Sequence, residues 1–207
     1  AWAVLPERSA SMGPAAFNLP RAIQRIAGIQ RGKAASRICW PGMELCAALK
    51  NAYTLAVGLA GGLLEKAGGP DGAGAYMHNL AAALFGQGCT EIDRMLELVG
   101  GTRSFAYGLP GAGDLYVTCQ GGRTVRLGRL MGSGVSFAAA REIMAGETLE
   151  AAMIIQVMGE ALPKLTQRGV ISPQELPLLR ALVDILVNGL PVDLSVQGFF
   201  RNAAVAD

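Results

Sequence analysis

The sequence predicts an all-α fold, a bundle of several helices. Three observations predict it. Apolar residues recur at helical spacing through the long segments 42–62 and 75–99. Helix start and stop signals punctuate the rest, as at Gly100-Gly101, Ser172-Pro173-Gln174-Glu175 and Asn188-Gly189. No set of alternating strands is present, and no strand leads into a GxGxxG turn.

Residues 1–39 differ from the rest of the chain. They are rich in Arg, Ser, Pro and Ala and weak in apolar period, with one short amphipathic helix expected over Arg21–Gln30. They read as a linker or remnant leading into the main helical domain over 40–207. The central element is Gly42–Gly62, GMELCAALKNAYTLAVGLAGG, one long apolar helix after Pro41. Gly68–Gly74 is a glycine-rich turn. The next helix, 75–99, carries a stripe of Leu80, Leu84, Ile92, Met95, Leu96 and Val99, with Gly86 and Gly88 allowing close packing. Gly100-Gly101 closes it, and a short helix is expected near Ser104–Tyr107. Ser136 caps a helix through Met144, and Thr148 caps a longer one with Glu150 in its first turn. Pro163 is expected to kink or break that helix. Ser172-Pro173-Gln174-Glu175 reads as a capping box opening a helix through Leu186.

Two stretches carry chemistry. In the first, Lys50 and Asn51 interrupt the apolar helix, and Lys50 shares a face with Met43, Cys46, Ala47, Thr54 and Val57. Either Lys50 snorkels to water from a half-buried helix, or it faces a polar cavity, where desolvation would suit its amine to proton transfer. The second stretch is GLPGAGDLYVTCQGGRTVR, residues 108–126. Its glycines bring the backbone close to a neighbour and set Asp114 at a turn. Asp114, Thr118, Arg123 and Thr124 then supply a carboxylate, a guanidinium and two hydroxyls, and arginine suits bidentate capture of phosphate. Glycine spacing alone also fits a plain tight turn. Arg126 and Arg129 read as a solvated face.

Composition narrows the function class. A net charge of +2 gives no footprint for nucleic acid or an acidic membrane. No run of about 18 uninterrupted apolar residues occurs, and the start lacks a signal-peptide pattern. Cys39, Cys46, Cys89 and Cys119 show no metal spacing; Cys46 and Cys119 read as small core residues of a cytoplasmic protein. His78 has no companion histidine for a metal site and reads as surface. A hydrophobic share of 51% implies a face that packs on a partner, with self-association as a homodimer expected.

GMELCAALKN followed by GLPGAGDLYVTCQGGR resembles the C-terminal domain of NAD-dependent glycerol-3-phosphate dehydrogenases, whose versions look like GVELGGALKN and GLAGLGDLIVTC. The resemblance covers roughly residues 41–188. It implies an all-helical fold like the C-terminal domain of 6-phosphogluconate dehydrogenase, packed on a Rossmann domain. It also implies interconversion of glycerol 3-phosphate and dihydroxyacetone phosphate with NAD or NADP as cofactor. Lys50 matches the catalytic lysine and Asp114 the acid that holds it. Asn51 matches a ligand of a substrate hydroxyl, and Thr118 matches a substrate-binding hydroxyl. Arg123, with Thr124 beside it, matches the phosphate-binding arginine that also approaches the nucleotide. Glu150 falls in the nucleotide loop.

The departures are specific. Thr124 stands where the family has asparagine. Glu147-Thr148-Leu149-Glu150-Ala151 replaces an EGxxT-like loop, and a carboxylate beside a pyrophosphate weakens binding. Gly86-Gln87 replaces a Thr-Arg pair. No Rossmann domain is evident in this sequence, and its substrate-binding lysine has no counterpart. The chain is therefore expected to need such a domain, in cis or in trans, for activity. Two other readings stand beside this one: a non-catalytic helical binding or dimerisation module derived from the family, and a related dehydrogenase acting on another hydroxy or keto substrate.

Overall fold

The computed structural model describes residues 40–69 and 75–194. The expectations for 1–39, for 70–74 of the glycine turn and for 195–207 lie outside the described residues. Among the described residues the fold is all-α, with seven α-helices and no strand. They are α1 (Trp40–Lys66), α2 (Ala75–Leu98), α3 (Asp114–Cys119), α4 (Arg123–Gly132), α5 (Phe137–Ile143), α6 (Glu150–Gln167) and α7 (Pro177–Leu186). A 3-10 turn at Arg103–Phe105 and a π-helical turn at Leu109–Gly113 stand between α2 and α3. The 3-10 turn takes the place of the short helix expected near Ser104.

Helix α1 is the axis of the bundle. Leu49, Ala52, Tyr53, Leu55, Ala56 and Leu59 are fully buried, and α2, α3, α4, α6 and α7 all pack against it. By length and apolar composition Gly42–Lys66 resembles a membrane span, but 72% of its most apolar window is buried inside the protein, the pattern of a core helix. It runs past Gly61-Gly62, which serve packing. Gly58 and Gly62 face Gly128 and Gly132 of α4, and the two backbones touch. A Cβ at Gly128 would lie 2.5 Å from the Leu55 carbonyl oxygen, and one at Gly132 would lie 2.3 Å from that of Leu59. Only glycine permits this approach. The chain stops instead at Gly68, where φ is 100° and Gly69 N–H donates to Leu64 O.

Helix α2 buries Leu84, Ile92, Met95 and Leu96 as the stripe predicts, with Leu80 and Val99 partly buried. Gly101 N–H closes it on Leu96 O. Gly88 lies under the Tyr53 ring, but a Cβ at Gly86 would meet nothing within 4 Å, so Gly86 is not a packing glycine.

The later helices correct three expectations. Ser136 does cap α5, accepting from Ala139 N–H at 3.2 Å. Thr148 does not cap α6: the N-cap is Leu149, with no side-chain cap bond. Pro163 neither breaks nor ends α6, because buried Ile154, Ile155, Met158, Leu162 and Leu165 hold the helix on both sides of an exposed proline. Ser172 does not open α7. Half of its capping box forms, Ser172 N–H donating to Glu175 Oε2 at 2.5 Å. Leu176 then lies in the left-handed region at φ 58°, and Pro177 disfavours a right-handed helix at the residue before it, so the box does not run on into the helix. The helix starts at Pro177, and its first N–H groups, from Leu178 and Leu179, donate at 2.6 and 2.9 Å to the carboxylate of Glu91 on α2.

Candidate active site

Lys50 and Asp114 meet. Lys50 Nζ lies 2.5 Å from Asp114 Oδ2, with 20% of the lysine side chain and 39% of the carboxylate side chain exposed. The sequence between them explains the meeting. Ala112 N–H donates to Ala106 O at 2.8 Å and Gly113 N–H to Gly108 O at 3.0 Å, closing the π turn. A Cβ at Gly111 would sit 2.2 Å from Ala106 O, so a glycine is required there. The turn delivers Asp114 as the first residue of α3, and buried Leu115 anchors that helix against the core. The result is an ammonium paired on one side and reachable from the other.

The remaining predicted residues are placed less uniformly. Asn51 follows Lys50, is buried, and points its amide at Ala47 O at 3.5 Å. Thr118 lies one turn beyond Asp114 and donates its hydroxyl proton to Asp114 O at 2.7 Å, leaving its oxygen lone pairs as acceptors. Arg123 is the first residue of α4, just after Gly122 at φ 98°. Its guanidinium does not join the Lys50 pair; it donates to Glu150 Oε1 at 2.8 Å. The two residues matched to the nucleotide region thus engage each other. Thr124 is buried in α4.

Nearby residues add to the site. Cys119 Sγ lies 3.8 Å from Oγ1 of buried Thr54, one turn past Lys50 on α1. Burial pushes the Cys119 thiol up, and burial followed by the neighbouring Cys119 pushes Cys89 up, so neither is an activated nucleophile. Cys46 is fully buried as expected, whereas Cys119 is only half-buried. Cys39 lies outside the described residues. Among the described residues no cluster of His, Cys, Asp and Glu has the geometry of a metal site, and His78 is exposed. Tyr107, Leu109, Tyr116 and Val117, on the segment carrying Asp114, are each more than half exposed and form an apolar rim.

Sequence reasoning missed two features. Arg126 Nη1 donates to Glu147 at 2.8 Å, and Arg129 pairs with Glu65, so the arginines of α4 line a groove rather than only a solvated face. Their spacing was visible, but their partners come from distant elements. The other feature is Glu91, fully buried, which accepts from Tyr53 Oη at 3.0 Å and Gln87 Nε2 at 2.9 Å as well as the two α7 amides.

A family model for the C-terminus of NAD-dependent glycerol-3-phosphate dehydrogenase matches residues 40–197. The chain belongs to that family. Among relatives of the family, glycerol-3-phosphate dehydrogenase (NAD(P)+) of Bacillus cereus strain AH187 is 37% identical over 150 residues, covering 72% of this chain and 38% of its own length. The protein of the same name from Bacillus mycoides strain KBAB4 is 36% identical over the same extent. This chain therefore spans well under half the length of these relatives. The crystal structure of glycerol-3-phosphate dehydrogenase from Coxiella burnetii superposes with a TM-score of 0.62 at 29% identity, covering 88% of this chain and 50% of that one. The structure of DsGPDH of Dunaliella salina, at 24% identity and TM-score 0.57, shares the fold; the match covers 77% of this chain and 29% of that one.

Proposed function

We propose that this domain is the substrate half of an NAD(P)-dependent glycerol-3-phosphate dehydrogenase, interconverting glycerol 3-phosphate and dihydroxyacetone phosphate. The observation that carries the reading is the Lys50–Asp114 pair at 2.5 Å, built by the two stretches that resemble the family. Lys50 donates a proton to the carbonyl oxygen during reduction and takes it from the hydroxyl in the reverse direction. Asp114 keeps the amine positioned and charged. Asn51 and the lone pairs of Thr118 receive substrate hydroxyls. Arg123, with Thr124 behind it, takes the phosphate, for which it must share or release its bond to Glu150. Glu150 then lies toward the nucleotide.

A bound nicotinamide cofactor, NAD or NADP, would supply and accept the hydride. The described residues contain no strand and so no sheet on which a dinucleotide would sit. A Rossmann domain is the implied partner, in cis or in trans. The exposed rim of Tyr107, Leu109, Tyr116 and Val117 supports docking beside the site. The domain is proposed to work in the cytoplasm as a homodimer.

A second reading draws on the Arg123–Glu150 bond: a carboxylate already holds the phosphate-binding fork, as fits a helical module kept without catalysis. One experiment separates the two. The dinucleotide-binding domain of a family enzyme is supplied to the chain, and reduction of dihydroxyacetone phosphate is followed by loss of reduced cofactor. Lys50→Ala is expected to lower turnover by roughly 10²–10⁴-fold, the usual range for general acid–base groups. Turnover that survives Lys50→Ala would sink the catalytic assignment. No turnover in the wild-type combination would favour the non-catalytic module.

A further inference from the structure

We propose that Arg103 is a positioning residue for the Lys50–Asp114 pair: its fork, clamped on Asp93, fixes the 3-10 turn on which the Asp114 turn is built. The consequence for turnover rests on the dehydrogenase reading; the geometry does not.

Asp93 is the fixed end. Its neighbours Ile92, Met95 and Leu96 on α2 are fully buried, and its own side chain is only 11% exposed. A carboxylate so placed needs a partner to stay charged. Arg103 supplies it through two bonds, Nε donating to Oδ1 at 2.9 Å and Nη2 donating to Oδ2. A paired fork sets direction as well as distance. Glu97, one turn further along α2, stands 3.6 Å from Arg103 Nη1 and takes Arg94 Nη1 at 2.6 Å, which leaves Asp93 as the close partner of Arg103.

The other end is the 3-10 turn itself. Thr102, Arg103 and Ser104 are exposed, and Phe105 is only partly buried against the core. The turn draws little of its placement from burial, so the fork to α2 is what ties its first residue down. From there hydrogen bonds run through to Asp114. Ala106 N–H donates to Arg103 O at 3.0 Å, and Ala112 N–H donates to Ala106 O at 2.8 Å. Gly108 N–H donates to Ser104 O at 3.1 Å, and Gly113 N–H donates to Gly108 O at 3.0 Å. Asp114 N–H closes on Leu109 O and Gly111 O. Gly111 also presses on the 3-10 turn: a Cβ there would lie 2.5 Å from Phe105 O and 2.2 Å from Ala106 O. With backbone in contact on that side, a shift of the 3-10 turn passes to the π turn and on to the Asp114 carboxylate. Arg103 acts through this chain, since its own bonds go to α2.

The test follows the 13Cε and 15Nζ resonances of Lys50 in the whole chain, with Asp114→Asn marking a lost pair. Arg103→Ala is expected to move these resonances toward their Asp114→Asn positions. Circular dichroism and Tm should stay near wild type, because a half-exposed ion pair contributes little to global stability. Asp93→Asn should act in the same direction, and Asp93→Asn/Arg103→Ala should go no further than Arg103→Ala alone, as for one unit. Arg103→Lys keeps the charge without the fork and should not restore the wild-type signal. With the dinucleotide-binding domain of a family enzyme supplied, Arg103→Ala should lower kcat for dihydroxyacetone phosphate reduction roughly 10–100-fold with little change in KM, the effect of a misplacement of about 1 Å. Lys50 resonances unmoved by Arg103→Ala, or restored by Arg103→Lys, would overturn the proposal. That readout needs no turnover. A wild type inactive with the supplied domain would count against the dehydrogenase reading, while the Lys50 signal would still decide the positioning role.

Discussion

Gly128→Ala sets two physical effects against each other. On helix propensity alone, alanine is favoured over glycine by about 1 kcal/mol in a helix interior. The contact with α1 opposes this. The new Cβ would lie 2.5 Å from Leu55 O and 2.8 Å from Gly58 Cα, both backbone atoms that no rotamer change relieves. Separating the helices by the required half ångström or more disturbs the packing around Leu55 and Leu59 as well. Overpacking of a tight core costs about 1–3 kcal/mol, and the backbone obstruction puts this site at the top of that range. The net expectation is a loss of about 2 kcal/mol, or roughly 4–8 °C in Tm for a chain of this size. Gly86→Ala is the control, since Gly86 is exposed in α2 with open space around it. It should gain about 0.5–1 kcal/mol. Urea and thermal unfolding of the two variants provide the assay. If Gly128→Ala raises stability as Gly86→Ala does, the close α1–α4 contact is refuted.

Further outcomes at three residues rest on the side-chain network. Asp114→Asn keeps the shape but removes the charge beside Lys50, so turnover with a supplied Rossmann domain should fall by at least tenfold; unchanged turnover and pH profile would remove Asp114 from the mechanism. Glu91→Ala leaves Tyr53 Oη, Gln87 and two α7 amides without their acceptor, an expected loss of about 3–5 kcal/mol read by urea unfolding, with Glu91→Gln milder. Burial pushes the Glu91 carboxyl above its ordinary 4.5 despite the four donors. Its contribution is thus greatest below pH 4.5 and declines as pH rises through the folded value. The stability of wild type relative to Glu91→Gln should fall with rising pH over that window; a flat difference would contradict the shift. Glu175 runs the other way. Partial burial raises its carboxyl, but bonds from Ser172 N–H and Arg94 outweigh this and hold it below 4.5. Its stabilisation is present above pH 4.5 and is lost as pH falls through the folded value, so Glu175→Gln should narrow the acid-induced drop in Tm.

The helical class and most helix positions were legible because they rest on local signals. The α2 stripe, the Gly100-Gly101 stop and the Ser136 cap each depend on residues a turn apart. The start of α7 was not, because two elements compete there. The local box at Ser172 forms one bond, but Pro177 bars helix at Leu176 and the working cap is Glu91, 87 residues away from Leu178. Likewise Gly61-Gly62 signalled a helix end in sequence and serves helix contact in space. At the site, Lys50 and Asp114 were identifiable as residues, and the π turn that joins them depends on Gly111 packing on Ala106 O. The Arg123–Glu150 bond was hidden, since nothing local links α4 to α6.

The central claim is that Lys50, Asp114 and Arg123 form a substrate half-site. The most direct measurement is calorimetric titration of glycerol 3-phosphate into this chain, with Arg123→Ala and Lys50→Ala run in parallel. The account predicts saturable binding to the wild type, loss of about tenfold or more with Arg123→Ala, as expected for a charge-assisted phosphate contact worth roughly 1.5–3 kcal/mol, and weaker binding with Lys50→Ala. Binding that is indifferent to both substitutions would contradict it.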